Sequence, residues 1–274
     1  MGKISKYESK PFGSDGKVQY SAEEENTWRF LVQRQNRAIQ GRACKEFLDG
    51  VTKLNFNERI PQHYEITEIL NSCTGWGVEP VPAIIPAEQF FTLLSKKRFP
   101  SANFIRIPEE IDYLQEPDIF HEIYGHCPLL TNQNYADYMQ EYGRLALTVS
   151  GKERMRLFRL FWFTIEFGLL KEANELKIYG GGILSSYKET LYALEDTAEK
   201  ISLIDPLIAL RTPYRIDILQ PVYFVVNGLD HLFDIVKKDL VGLAKQSLTL
   251  PDFPPKFAPK EKDPQASTKD STYE

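Results

Sequence analysis

The stretch "LFRLFWFTIEFGLL", Leu157 to Leu170, is apolar on every side of a helical projection, so it reads as a helix in the centre of a fold. It is too short to cross a membrane, and Arg159 and Glu166 interrupt it. Glu166 lies between Ile165 and Phe167, with Phe163 and Leu169 close by, where a carboxylate is poorly solvated. A buried, unpaired carboxylate costs several kcal/mol, so Glu166 must be protonated, paired or metal-bound. Arg159, seven residues earlier on the same helical face, is the competing partner.

Around this core the chain reads mostly as helix. Ser21 and Glu24 form a capping-box pattern, and Trp28, Leu31, Val32 and Ile39 follow at helical spacing, which predicts a helix over about 22–40. Further helices are expected in the forties and early fifties, over "HYEITEILNSCTG", around "AEQFFTLLSKK" and along Tyr135, Tyr138, Met139, Tyr142, Leu145 and Ala146. "SYKETLYALED" is another, with Ser186 and Glu189 set for a second capping box, and an amphipathic helix is expected from about Leu229 to Ala244. "GWGVEPVPAIIP", "PEEIDYLQEPD" and the glycine-rich "IYGGGILSS" read as loops and turns, "ANFIRI" and "PVYFVV" as short strands. With 274 residues, 42% of them hydrophobic, the chain can bury one large core. The expected organisation is an N-terminal extension over 1–19, a single mainly α domain with a few short strands over 20–250, and a flexible tail rich in proline and charge over 251–274.

A formal charge of −5, with scattered lysines and arginines, argues against nucleic acid as a partner. The opening "MGKISKYESK" has no apolar signal-peptide core, so neither secretion nor membrane insertion is expected. Cys44, Cys73 and Cys127 are odd in number and far apart, which supports neither a disulfide framework nor a cysteine zinc site and fits a reducing cytoplasm.

The chemistry concentrates in "PDIFHEIYGHCPLL", which holds two of the four histidines, His121 and His126, with Glu122 beside the first. Their i, i+5 spacing is about 140° around an ideal helix, unlike the i, i+4 pair of H-E-x-x-H zinc peptidases. The rings converge only if the helix loosens between them, and Gly125 and Pro128 permit such a π-type distortion. With Glu166 as a third donor, the set matches the two-histidine, one-carboxylate arrangement of non-haem ferrous sites. Zinc hydrolysis with Glu122 as general base stays open on spacing alone.

"PDIFHEIYGHCPLL", "LFWFTIEFGLL" and "IYGGGILSSYKE", in this order and with Glu166 forty-five residues after His121, closely resemble the pterin-dependent aromatic amino acid hydroxylases, most of all their bacterial phenylalanine-hydroxylating members. The resemblance runs from "EENTWRFLVQRQ" to "QPVYFVV". It implies ferrous iron held by His121, His126 and Glu166, a tetrahydropterin such as tetrahydrobiopterin that supplies two electrons, dioxygen as co-substrate, and the hydroxylation of phenylalanine to tyrosine. Tryptophan or tyrosine hydroxylation is the alternative within the family.

By the same resemblance, Arg106 binds the carboxylate of the amino acid, helped by Ser185, and Gly182 lets the backbone come close. Trp162, Pro117 and Tyr113 are expected to wall the substrate pocket. Phe90 is expected to stack on the pterin, the backbone from Ala83 through Ile85 to Ala87 to reach its edge, and Glu122 to contact it through water. Pro86 and Ala87 stand where animal relatives carry hydroxyl side chains, and Leu114 where they carry a threonine, so pterin binding here relies more on backbone. The partners implied are small molecules only, with no regulatory domain, and the chain is expected to be a monomer or small homo-oligomer.

Overall fold

The structure is a computed structural model that describes residues 7–82, 84–114 and 116–259. Three helices open it: α1 (Ala22–Ala38), α2 (Lys45–Leu54) and α3 (His63–Thr74). The expected capping box of α1 is present, since Ser21 accepts from the Glu24 N–H and the Glu24 carboxylate accepts from the Ser21 N–H. Trp28, Leu31 and Val32 of its inner face are buried.

The glycine- and proline-bearing segment predicted as a loop contains a strand, β1 (Gly77–Pro80), which pairs in parallel with β2 (Arg98–Ser101) across helix α4 (Ala87–Ser95). The strand expected at "ANFIRI" is displaced to β2. Ala102 to Arg106 are buried but satisfied outside any ladder, with the Ile119 N–H donating to Phe104 O and the Arg106 N–H to Asp118. Pairing with a distant segment, which local pattern does not encode, decided both differences.

A π-helical turn, Phe120–His126, follows, and then α5 (Gln133–Leu147), which packs along α4. The predicted central helix is real only to its midpoint. It is α6 (Gly151–Phe161), then a second π turn, Trp162–Glu166, and then β3 (Gly168–Glu172). The all-round apolarity of the run therefore comes from three buried elements in succession. β3 joins β4 (Glu175–Ile178), β5 (Glu199–Ser202) and β6 (Val222–Val226) in a four-stranded sheet of order β4-β3-β6-β5, in which only the β3–β4 pair is antiparallel.

The glycine-rich turn winds into a short helix, α7 (Gly181–Leu184), ahead of α8 (Tyr187–Tyr192) and, after β5, α9 (Pro206–Arg211). Ser186 caps α8 as expected, but the Glu189 carboxylate turns inward to the Gln220 N–H and the Tyr223 hydroxyl, so its half of the box is not formed. The helix expected over 229–244 is two, α10 (Leu229–Val236) and α11 (Leu240–Thr249), because Asp239 restarts the chain as an N-cap on the Gly242 N–H.

Both ends of the described chain lie against this body. Tyr7 stacks on Phe104 and Lys10 bonds Asn103. Residues 251–259 are irregular but tied down, through Asp252 with Arg156 and Arg159, the Phe253 N–H with Arg211 O, and Arg215 with Ala258 O. The rest of the tail expected to be flexible lies outside the described residues.

Candidate active site

The π turn at Phe120–His126 performs the convergence that the i, i+5 spacing requires. His121 Nε2 and His126 Nε2 lie 3.3 Å apart. The second π turn brings Glu166 to them, with Oε2 at 3.8 Å from His121 Nε2 and 3.4 Å from His126 Nε2. A triangle with these sides has a centre about 2.0 Å from every corner, the usual bond length from a divalent metal to histidine nitrogen or carboxylate oxygen. Among the described residues, this is the one His/Cys/Asp/Glu cluster close enough to hold an ion. Arg159 is not the partner of Glu166, because it pairs with Asp252 at 2.9 Å.

The hydrogen bonds suit the donors to a cation. The single Ser185 hydroxyl proton goes to Gly181 O at 2.8 Å, so its oxygen accepts the Nδ1–H of His121 at 2.9 Å. That tautomer leaves the Nε2 lone pair of His121 aimed at the triangle. His126 Nδ1 is buried without a partner, and packing orients the ring: Phe99 stacks on it at 5.0 Å, and a Cβ on Gly181 would come 2.5 Å from Nδ1. Burial pushes the His121 pKa down to about 4. Burial opposes ionisation of Glu166, but His126, then His121 and the Gly182 N–H, hold its carboxyl below the ordinary value. A neutral imidazole at His121 and an ionised carboxylate at Glu166 are the forms that bind a metal.

His121 and Glu166 open onto a cavity of about 470 Å³. Arg106, Tyr113, Pro117, Trp162, Gly182 and Ser185 line it, so the sequence-derived substrate set is brought together. Arg106 is buried rather than an exposed charge. Its Nε and Nη2 pair with both oxygens of Asp118, at 2.8 and 2.9 Å, and its other edge is left for the cavity. Burial works against the Asp118 charge, but the Arg106 guanidinium beside it keeps its carboxyl below the usual range. Asp118 also accepts the His121 N–H at 3.0 Å, which ties the arginine to the metal-facing turn. Asp118 was not among the residues expected at the site, because only the fold brings it against Arg106.

Among the described residues, those predicted for the pterin do not line this cavity. Phe90 is half-buried and packs on Phe91 and Phe161, with ring centroids 5.4 Å away in both cases. Ile85 and Ala87 are half-buried in the approach to α4, and Ala83 lies outside the described residues. Glu122 is half-buried, and desolvation, with Glu166 and Asp118 nearby, pushes its carboxyl well above the carboxylate range.

Comparison with known proteins finds relatives over most of the chain. The family profile described as biopterin-dependent aromatic amino acid hydroxylase matches residues 9–248. A phenylalanine-4-hydroxylase of Pseudomonas aeruginosa is 50% identical over 260 residues, which cover 94% of this chain and 99% of that one. The apo structure of the cold active phenylalanine hydroxylase from Colwellia psychrerythraea 34H superposes with a TM-score of 0.88 at 47% identity, over 92% of this chain and 98% of that one. The Chromobacterium violaceum phenylalanine hydroxylase with bound oxidised Fe(III) gives 0.85 at 38% identity, over 92% of either chain.

Proposed function

The chain belongs to the biopterin-dependent aromatic amino acid hydroxylases, and from that membership we propose that it is a phenylalanine 4-hydroxylase, converting L-phenylalanine to L-tyrosine. The observation that carries this reading is the triangle of His121, His126 and Glu166 donors at the edge of a cavity that also holds Arg106 and Trp162. Ferrous iron and a tetrahydropterin, when bound, supply the activation of dioxygen and the two electrons that the hydroxylation needs.

The protein's own residues then hold and orient. His121, His126 and Glu166 would hold the iron, and His121 and Glu166 face the cavity. Arg106, held rigid by Asp118, takes the carboxylate of phenylalanine with the guanidinium edge that Asp118 does not use. Pro117, Trp162 and Tyr113 enclose the aromatic ring and exclude water from it. Ser185 keeps His121 in the tautomer that binds metal, and Gly182 supplies an N–H to Glu166 where a Cβ would crowd its carboxylate at 3.0 Å. Phe90, the backbone that includes Ile85 and Ala87, and Glu122 would hold the pterin. The hydrolase alternative falls with the family, and Glu122 is not among the residues lining the cavity.

We assign the catalytic unit to residues 20–250 and the molecule to the cytoplasm, as a monomer or small homo-oligomer. The reading is supported by bacterial relatives that match nearly end to end, and no helix among the described residues is long and apolar enough to cross a membrane.

The test is product formation by iron-loaded protein, with and without tetrahydropterin, on phenylalanine, tryptophan and tyrosine, beside Glu166→Ala. Pterin-dependent tyrosine from phenylalanine, lost together with iron retention in the variant, is expected. Faster turnover of tryptophan or tyrosine would overturn the substrate assignment.

A further inference from the structure

Trp162 is a wall of the cavity, and its indole is clamped between two rings, Phe167 at 4.4 Å and Tyr214 at 4.6 Å, with interplanar angles of 28° and 20°. Stacking on both faces fixes the plane of an indole but only weakly its rotation within that plane, because such contacts are soft to in-plane turning. One directional contact sets the rotation: Nε1–H donates to Gln220 Oε1 at 3.2 Å.

Gln220 is 1% exposed, and its amide can point only one way. Its NH₂ donates to Arg215 O at 2.7 Å and Ile218 O at 3.0 Å, so a flipped amide would set its oxygen against two carbonyls. Its backbone N–H is held at 3.0 Å by Glu189, a buried carboxylate that also accepts the Tyr223 hydroxyl. Ile216, Asp217, Ile218 and Leu219, the residues this amide gathers in, form another stretch of the cavity wall. A single side chain thus joins the indole to the loop.

We propose that Gln220 is a specificity-determining positioning residue, which fixes the in-plane orientation of Trp162 and the seat of the 215–219 loop and so sets the width of the pocket for the substrate ring. The inference rests on the reading of this cavity as the phenylalanine site.

Gln220→Met, similar in size and unable to make these bonds, is the first variant. Losing a buried hydrogen bond of this kind corresponds to about fivefold to tenfold, so KM for phenylalanine should rise by that factor with kcat kept within about twofold. The preference for phenylalanine over tryptophan should fall by a similar factor. In Trp162→Phe the same Gln220→Met change should add less than it does alone, because the indole contact is already lost and only the seat of the loop remains to be lost, whereas a merely structural loss would add in full. With 5-fluorotryptophan label, the Trp162 fluorine resonance should move while those of the buried Trp28 and Trp76 stay.

Gln220→Glu keeps an acceptor for the indole and loses the donors to the loop. Its second oxygen faces the Arg215 and Ile218 carbonyls in place of the NH₂, so the loop should loosen and KM for phenylalanine rise while the Trp162 resonance moves less than in the Met variant, and it serves as the test if the Met variant does not fold. Calorimetric binding of phenylalanine and tryptophan to iron-loaded protein repeats the comparison without turnover, so a failed hydroxylase reading would be seen separately as wild-type protein that makes no tyrosine. An unmoved Trp162 resonance with unchanged KM and binding in Gln220→Met, or full additivity with Trp162→Phe, would overturn the proposal.

Discussion

Ser185 shows how much one hydroxyl decides. It spends its proton on Gly181 O and accepts from His121 Nδ1, which selects the tautomer whose Nε2 can bind metal. Removing such a support typically weakens metal binding by about 10–100-fold, so Ser185→Ala should lose iron to a chelator at lower competing concentration by that factor while its melting temperature changes little. His63 carries a different consequence. Burial lowers its pKa from 6.5 to about 4, so it stays neutral in the folded protein while the unfolded chain takes up a proton near pH 6.5. Between these values the unfolded state binds more protons, and stability falls as pH falls, by at most about 3 kcal/mol, levelling off below the folded pKa. Urea unfolding at pH 7 and pH 4.5 should show a smaller loss for His63→Gln than for wild type; equal losses would place the pH sensitivity elsewhere. The metal donors were legible as residue types, two histidines and a carboxylate stranded in an apolar run. Asp118 and Gln220 were not, because their importance lies in what they touch across the fold.

The functional elements are two π turns, and each presents ligands that an ordinary helix would turn away. The first was foreseeable from the i, i+5 histidines with Gly125 between them. The second was hidden, since "FWFTIEF" has no glycine or proline to mark a distortion. These turns depend on close backbone approach. A Cβ on Gly125 would come 2.7 Å from Gly181 O, and one on Gly50 would come 2.1 Å from Pro128 O, just beyond the first turn. Gly125→Ala should therefore push α7 off the turn and lower iron affinity at least tenfold, by analogy with lost metal-supporting contacts of about 10–100-fold. Gly50→Ala should destabilise by about 1–3 kcal/mol through overpacking, despite the higher helix propensity of alanine, visible as a lower urea midpoint with an unchanged slope. Elements defined by their own periodicity, such as α1, α3 and α5, matched expectation. The pair β1–β2 and the split of α10 from α11 did not, because one rests on a distant partner and the other on a single aspartate cap.

At the scale of the whole molecule, the irregular segment 251–259 works as a strap. It ties α6 and α9 through Asp252 and Phe253, and it reaches Arg215, next to the cavity wall, through Ala258. Partly exposed ion pairs contribute about 0–1 kcal/mol each, so ending the chain at residue 250 should cost about 2 kcal/mol in total and raise KM for phenylalanine more than it lowers kcat. Chemical denaturation and steady-state kinetics of the shortened chain check both parts, and a kcat effect with unchanged KM would refute the link to the wall. By itself the sequence determined a helix-rich body, a metal-binding residue set and, through three motifs in fixed order, the family, because periodicity, caps and donor types are local properties of the chain. Only the tertiary structure decided that Arg159 belongs to Asp252 and not to Glu166, that Arg106 is braced by Asp118, and that Gln220 meets Trp162. Those are contacts between segments far apart in the chain, whose energies exist only once the core has brought the segments together.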